Sequence, residues 1–133
     1  MIINVAPDRQ KAASLRKMAE ITLQRLQQTN MEEYPSNTLT DFYDVIHKLM
    51  DAIVLRKGIK IKGDGAHQEL IEYLAHQGEI NEQTRAFLQQ MREYRNNISY
   101  EGFMVPKTYI VSNKEKVSTL IKHLFELSDD KTE

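Results

Sequence analysis

The polar run around residue 95 is the part of this sequence best equipped for chemistry. In "EYRNNISYEGF", Glu93 to Phe103, Arg95 stands beside Asn96 and Asn97, and Tyr100 follows. A guanidinium is always charged and presents a planar fork that fits phosphate oxygens. The two carboxamides add neutral donors and acceptors that can orient a phosphodiester or a base. On a helix turning about 100° per residue from Phe87, the side chains of Met91, Tyr94 and Ile98 fall within about 40° of one line and make an apolar stripe. Arg95 then lies at about 80°, on the margin of that stripe, and Asn96 at about 180°. Tyr100 lies about 140° round from Arg95, so the two meet only through a bend, a second chain or a ligand that spans both. The alternative is a helix end in which Arg95 pairs with Glu93, Glu101 or a carboxylate from another helix.

A second stretch, "LRKGIKIKGDG", holds Arg56, Lys57, Lys60 and Lys62 within seven residues, the densest basic run in the chain. Glycines and a helix start follow, so backbone N–H groups could add to an anion site there. The glycine spacing lacks the Gly-Lys-Ser/Thr ending of a phosphate loop. A solvated connector is the alternative, and RNA backbone contact would show as salt dependence. His67 falls in the first turn of the next helix, where the dipole disfavours an imidazolium, and it could act as a base or simply sit at the surface. The other histidines, His47, His76 and His123, make no His-Glu-x-x-His pattern, and His67 and His76 project about 180° apart on a straight helix. No metal site is expected. Glu32 with Glu33 and Asp129 with Asp130 are adjacent pairs, splayed apart and suited to solvation, and no Gly-x-Ser-x-Gly elbow is present.

These groups must be positioned by helices. Apolar residues Ala12, Leu15, Met18, Ala19, Ile21, Leu23 and Leu26 recur mostly at three- and four-residue steps from Pro7 to about Thr29, predicting one helix with Pro7 at its first position. "EEYPSNT" reads as a loop, with Thr38 or Thr40 capping a second helix through Phe42, Val45, Ile46, Leu49, Ile53 and Val54 to Gly58. "GIKIKGDG" alternates like a strand but has no visible partner, so it reads as a connector. Asp64 or Gly65 caps a third helix that stops at Gly78, and Asn81 caps a fourth that breaks at Gly102 and Pro106. Ser112 or Asn113 starts the last, with Val117, Leu120, Ile121, Leu124 and Phe125 inward, and "SDDKTE" is a frayed polar tail. Five helices on short loops predict an all-α, up-and-down bundle forming a single domain over residues 1–133.

Composition narrows the function classes. The chain has 133 residues, 41% of them hydrophobic, enough for one sizeable core. A formal net charge of -1 excludes the strong overall field of a nucleic-acid coat protein, so any RNA contact must be local. The absence of cysteine rules out a disulfide framework and thiolate-bound zinc, and it fits a reducing cytoplasm. No apolar run is long enough for a membrane span, and "MIINVAPDRQ" lacks the order of a signal peptide.

"YRNNISYEG", preceded by "LRKGIKIKGDGAHQELIEYLA", resembles HEPN domains (higher eukaryotes and prokaryotes nucleotide-binding), with the likeness running from about Phe42 to Phe125. The resemblance implies a helical bundle that forms a homodimer, with no cofactor, acting on RNA or nucleotide. It also implies a minimal nucleotidyltransferase as a possible partner. Many members are metal-independent ribonucleases of toxin–antitoxin type, marked by an Arg, a polar residue after it, and a His four to six residues on. Arg95 and Asn96 match, but Tyr100 stands at the histidine position. In active members the His helps a 2′-hydroxyl attack the adjacent phosphate while the Arg steadies the phosphorane charge. A phenol, with an ordinary pKa of about 10, is a poor general base at neutral pH, though it can donate a hydrogen bond. The family's modified Tyr falls on Gly102 and is not carried over.

The reading is therefore a HEPN-like RNA- or nucleotide-binding protein, catalytically impaired. Arg95, Asn96, Tyr100 and His67 form its catalytic-type set, and Arg56, Lys57, Lys60, Lys62 and Asn97 contact RNA or nucleotide. Alternatives are a weak metal-independent endoribonuclease, with Tyr100 or His67 moving the proton, and a pure interaction module for a nucleotidyltransferase.

Overall fold

A computed structural model describes residues 1–129; part of the expected frayed tail, residues 130–133, lies outside the described residues. The described residues form an all-α bundle of five helices with one small ribbon: β1 (Ile2–Asn4), α1 (Arg9–Gln27), α2 (Pro35–Arg56), β2 (Ile59–Ile61), α3 (Ala66–His76), α4 (Glu82–Glu101) and α5 (Lys107–Leu127). No helix among the described residues is long and apolar enough to cross a membrane.

The central element is α2, which packs against α1, α3, α4 and α5 and buries twelve of its 22 side chains. Its stripe of Phe42, Val45, Ile46, Leu49 and Ile53 joins Leu70, Ile71 and Leu74 of α3, Phe87, Leu88 and Met91 of α4, and Val117, Ile121 and Leu124 of α5 in one core. Burial of this kind contributes about 25 cal/mol for each Å² of apolar surface removed from water, so α2 is where most of the bundle's cohesion is gathered. A satellite cluster of Leu39, Val105 and Ile110 receives Tyr94 and Ile98, so the expected α4 stripe is fully buried at one end and half-buried at the other.

Several boundaries differ from the sequence expectation. Pro7 stays outside α1, whose cap is Asp8 accepting the Lys11 N–H at 2.9 Å. Met18 and Ile21, expected inward, are 50% and 54% exposed, because α1 meets α2 along the narrower seam Ala12, Ala19 and Leu26. The supposed loop "EEYPSNT" already contains the start of α2: Pro35 occupies its first turn, where a missing N–H costs nothing. Likewise α5 begins at Lys107, six residues before Asn113, since the single buried Ile110 is enough to dock its first turns. "GIKIKGDG" is not a bare connector. Its Ile59, Lys60 and Ile61 pair antiparallel with Asn4, Ile3 and Ile2, a partner distant in sequence and so invisible to local patterning. At the other end Ser128 is held, accepting from the Arg16 Nε and donating to the Phe125 carbonyl, so the polar tail is anchored at its first residue.

Candidate functional site

On α2 the residues Tyr43, His47 and Asp51 follow one another at four-residue steps, which stacks them as a polar row beside the apolar stripe. The turn through Gly63 and Gly65, both at positive φ, starts α3 so that His67 falls in its first turn. Its imidazole lies on that of His47, with ring centroids 3.8 Å apart and planes 25° from parallel. The Tyr43 ring sits 6.2 Å from each. From α4, Arg92 and Arg95 stand one turn apart, near enough for Arg95 to act on the ionisation of Tyr43, His47 and His67 alike.

Two donors in this cluster are buried with no hydrogen-bond partner among the described residues: the Tyr43 hydroxyl and the Arg95 Nε. An unsatisfied buried donor costs about 1–3 kcal/mol, so a site with two of them is set up to receive an acceptor. No carboxylate of the described residues forms an ion pair with Arg95. Arg92 is engaged only at the edge, donating to Gln89 Oε1 at 2.7 Å and lying 3.8 Å from the exposed Glu93. Asp44 is bound by Lys48 at 2.7 Å, which leaves Asp51, 3.5 Å from the His47 Nδ1, as the acid facing the rings.

The electrostatics follow from burial next to arginines. His47 is pushed down to about 4, chiefly by burial, with Arg95 and Lys48 adding to the shift and Asp44 opposing it. His67 moves the same way for the same first reason, helped by His47, Arg95 and Arg92 and opposed by Asp51. Burial raises Asp51, against His67, Lys11, Lys60 and Lys48. It also pushes Tyr43 up to about 12, although Arg92 and Arg95 pull the other way, so the phenol remains a donor at neutral pH. Two neutral imidazoles therefore lie beside two guanidinium groups and a free hydroxyl, which is an anion-accepting arrangement with proton acceptors at hand.

Of the residues picked from sequence, Arg95 and His67 come together here. Tyr100 does not: it is 81% exposed near the end of α4, consistent with the helical angle that separates it from Arg95. Asn96 is half-buried and Asn97 exposed, and the Asn97 carbonyl closes the helix by accepting from Gly102 and Phe103. The basic run is dispersed. Arg56 donates to the Asp129 carbonyl at 2.7 Å, Lys57 pairs with Glu79 at 2.8 Å, and Lys62 is exposed at the ribbon's edge. Only Lys60, through its influence on Asp51, reaches the acidic border of the cluster.

Sequence reasoning missed Tyr43, His47, Asp51 and Arg92. The available signal was a polar row at four-residue spacing on a strongly apolar-patterned helix, where such residues need a reason. A separate cleft of about 610 Å³ lined by Asn30, Glu32, Glu33, Pro35 and Lys107 carries two carboxylates and no comparable donors, so it is a poorer anion site. Among the described residues no three His, Asp or Glu side chains converge as metal ligands do. Compared with known proteins, the chain matches no family model, no curated protein and no solved structure.

Proposed function

We propose that this is a HEPN-like protein that grips a phosphate group of RNA or a nucleotide in the cluster between α2, α3 and α4. Arg95 is the principal anchor, and Tyr43 and Arg92 complete the grip. The observation that carries the reading is the pair of buried donors without a partner among the described residues, the Arg95 Nε and the Tyr43 hydroxyl, near two imidazoles that burial keeps neutral. The motif resemblance around Arg95 and Asn96 points to the same ligand class. A homodimer with the two Arg95 clusters along one cleft, and docking to a nucleotidyltransferase, belong to this reading as expectations from that resemblance.

The test is a fluorescence anisotropy titration of labelled RNA and of a labelled nucleotide against the protein and Arg95→Ala. Affinity should fall about 10-fold or more in the variant, the loss of one charge-assisted contact, with helix content unchanged by circular dichroism. Equal binding by both proteins would remove Arg95 from the site.

A second reading, metal-independent endoribonuclease activity, is favoured by one observation, the contact between His47 and His67. A neutral imidazole could accept the 2′-hydroxyl proton while Arg95 stabilises charge on the phosphorane. Tyr100, exposed at the helix end, is not needed for that step. Cleavage of labelled RNA in EDTA that disappears in both His67→Gln and Arg95→Ala supports the enzyme; intact RNA throughout leaves binding alone.

A further inference from the structure

We propose that the α2–α3–α4 cluster takes up its oxyanion together with a proton, so that the stacked His47–His67 pair changes from neutral to singly protonated when the ligand enters. The inference rests on the anion-gripping reading and adds the condition under which the grip closes.

The geometry supplies the reason. A positive charge on one ring disfavours a second on the other 3.8 Å away, so the two titrate as a coupled pair whose first proton is the easier. The charged groups that act on it, directly or through Asp51, lie on α1, α2, β2 and α4, with none from α5. Tyr43, Asp44, Lys48 and Asp51 belong to α2, and Arg92 and Arg95 to α4; Lys11 of α1 and Lys60 of β2 act on Asp51. On α3, Glu69 is taken by the ammonium of Met1. Lys48 neutralises Asp44 through a direct bond. Burial is the first thing that keeps a proton off the rings, and Arg95 and Arg92 add to it against Asp44 and Asp51. A doubly charged oxyanion, as in the terminal phosphate of a nucleotide and not an internal RNA phosphodiester, on Arg95, Arg92 and the Tyr43 hydroxyl favours a proton on the rings instead. A proton from solvent can then settle on a ring nitrogen and donate to an anion oxygen. No bond is made or broken other than N–H on the ring.

Inorganic sulfate is the suitable probe, because its charge does not change across the range where imidazoles titrate. The ring C–H signals of His47 and His67 are followed by NMR from pH 4 to 8, in chloride and in sulfate at equal ionic strength. In saturating sulfate the midpoint of the pair should rise by about one unit or more, and sulfate affinity should strengthen several-fold for each pH unit of acidification between the two midpoints. Arg95→Ala should abolish the sulfate-dependent shift, and His47→Gln should flatten the pH dependence of whatever binding it retains. Sulfate binding that needs Arg95 but does not vary with pH overturns proton uptake and leaves the grip standing. No sulfate response at any pH overturns both, and a midpoint rise of equal size in Arg95→Ala assigns the effect to bulk salt and overturns the coupling.

Discussion

The Tyr43 hydroxyl separates a site from an accident of packing. It is buried and has no hydrogen-bond partner among the described residues, so left unpaired it is a cost, whereas in the proposed complex it is a contact. Tyr43→Phe should raise unfolding free energy by about 1 kcal/mol, since the orphan donor is gone and the ring is kept, while anion affinity drops. Urea denaturation and anisotropy on the same variant check both signs, and a loss of stability would mean that the hydroxyl already has a partner. The imidazoles give a pH signature of their own. His47 accepts a proton at about 4 in the folded chain and near 6.5 when unfolded, so the unfolded state binds it first on acidification. The stabilising contribution is complete above the unfolded value and is lost as pH falls toward the folded one, on the order of 3 kcal/mol at 1.36 kcal/mol per unit. His67 adds loss of the same sign. Asp51, raised in the folded state, opposes it at the acid end. Unfolding midpoints at pH 7 and pH 4.5 should differ less in His47→Phe than in the parent; an unchanged difference would move the acid sensitivity to another group.

At the level of helices and strands, most of the order along the chain was readable and the joins were not. Periodicity found all five helices, and the caps at Gly65 and Asn81 and the stop at Gly102 follow from local chemistry. Helices α2 and α5 start earlier than local patterning indicates because Pro35 and Pro106, which punctuate loops, here serve as the first helical residue and the residue before it. The ribbon was unreadable because a strand is defined by its partner, and Ile2 to Asn4 lie far from Ile59 to Ile61 in sequence. Arg95 and His67 were legible by residue type. His47 and Tyr43 were not, since their role depends on α3 and α4 closing over one face of α2. One glycine carries the join between ribbon and bundle. Gly58 sits at φ 77, and a Cβ there would come within 2.7 Å of the Val5 carbonyl, a backbone atom that itself accepts no retreat while Val5 N–H is bonded to Gly58. Gly58→Ala should therefore cost about 2–4 kcal/mol, from left-handed backbone strain plus displacement of the strand. Gly63→Ala, also at positive φ but with open space around it, should cost about 1 kcal/mol. Equal losses in the two variants by urea denaturation would show that the close approach to Val5 does not matter.

Across the entire molecule charge nearly cancels, and the cations that cluster in sequence point in different directions in space. This sets how binding should respond to salt. A surface that tracks a nucleic-acid backbone with six or more lysines and arginines releases many counterions, whereas a single pocket built on Arg92 and Arg95 releases few. For a single strand the slope of log affinity against log salt is about -0.7 per neutralised phosphate, so two contacts give about -1.4. Lys60, at the acidic border of the cluster, could add a third contact and bring the value to about -2. Titrating a short labelled RNA between about 50 and 200 mM salt should give a slope in this shallow range, with Lys57→Ala unchanged and Arg95→Ala shallower still. Lys57 serves as the reference because Glu79 already neutralises it. A steep slope that survives loss of Arg95 would mean that RNA tracks a different surface, and the polar cluster of α2, α3 and α4 would then have to be read as part of the core.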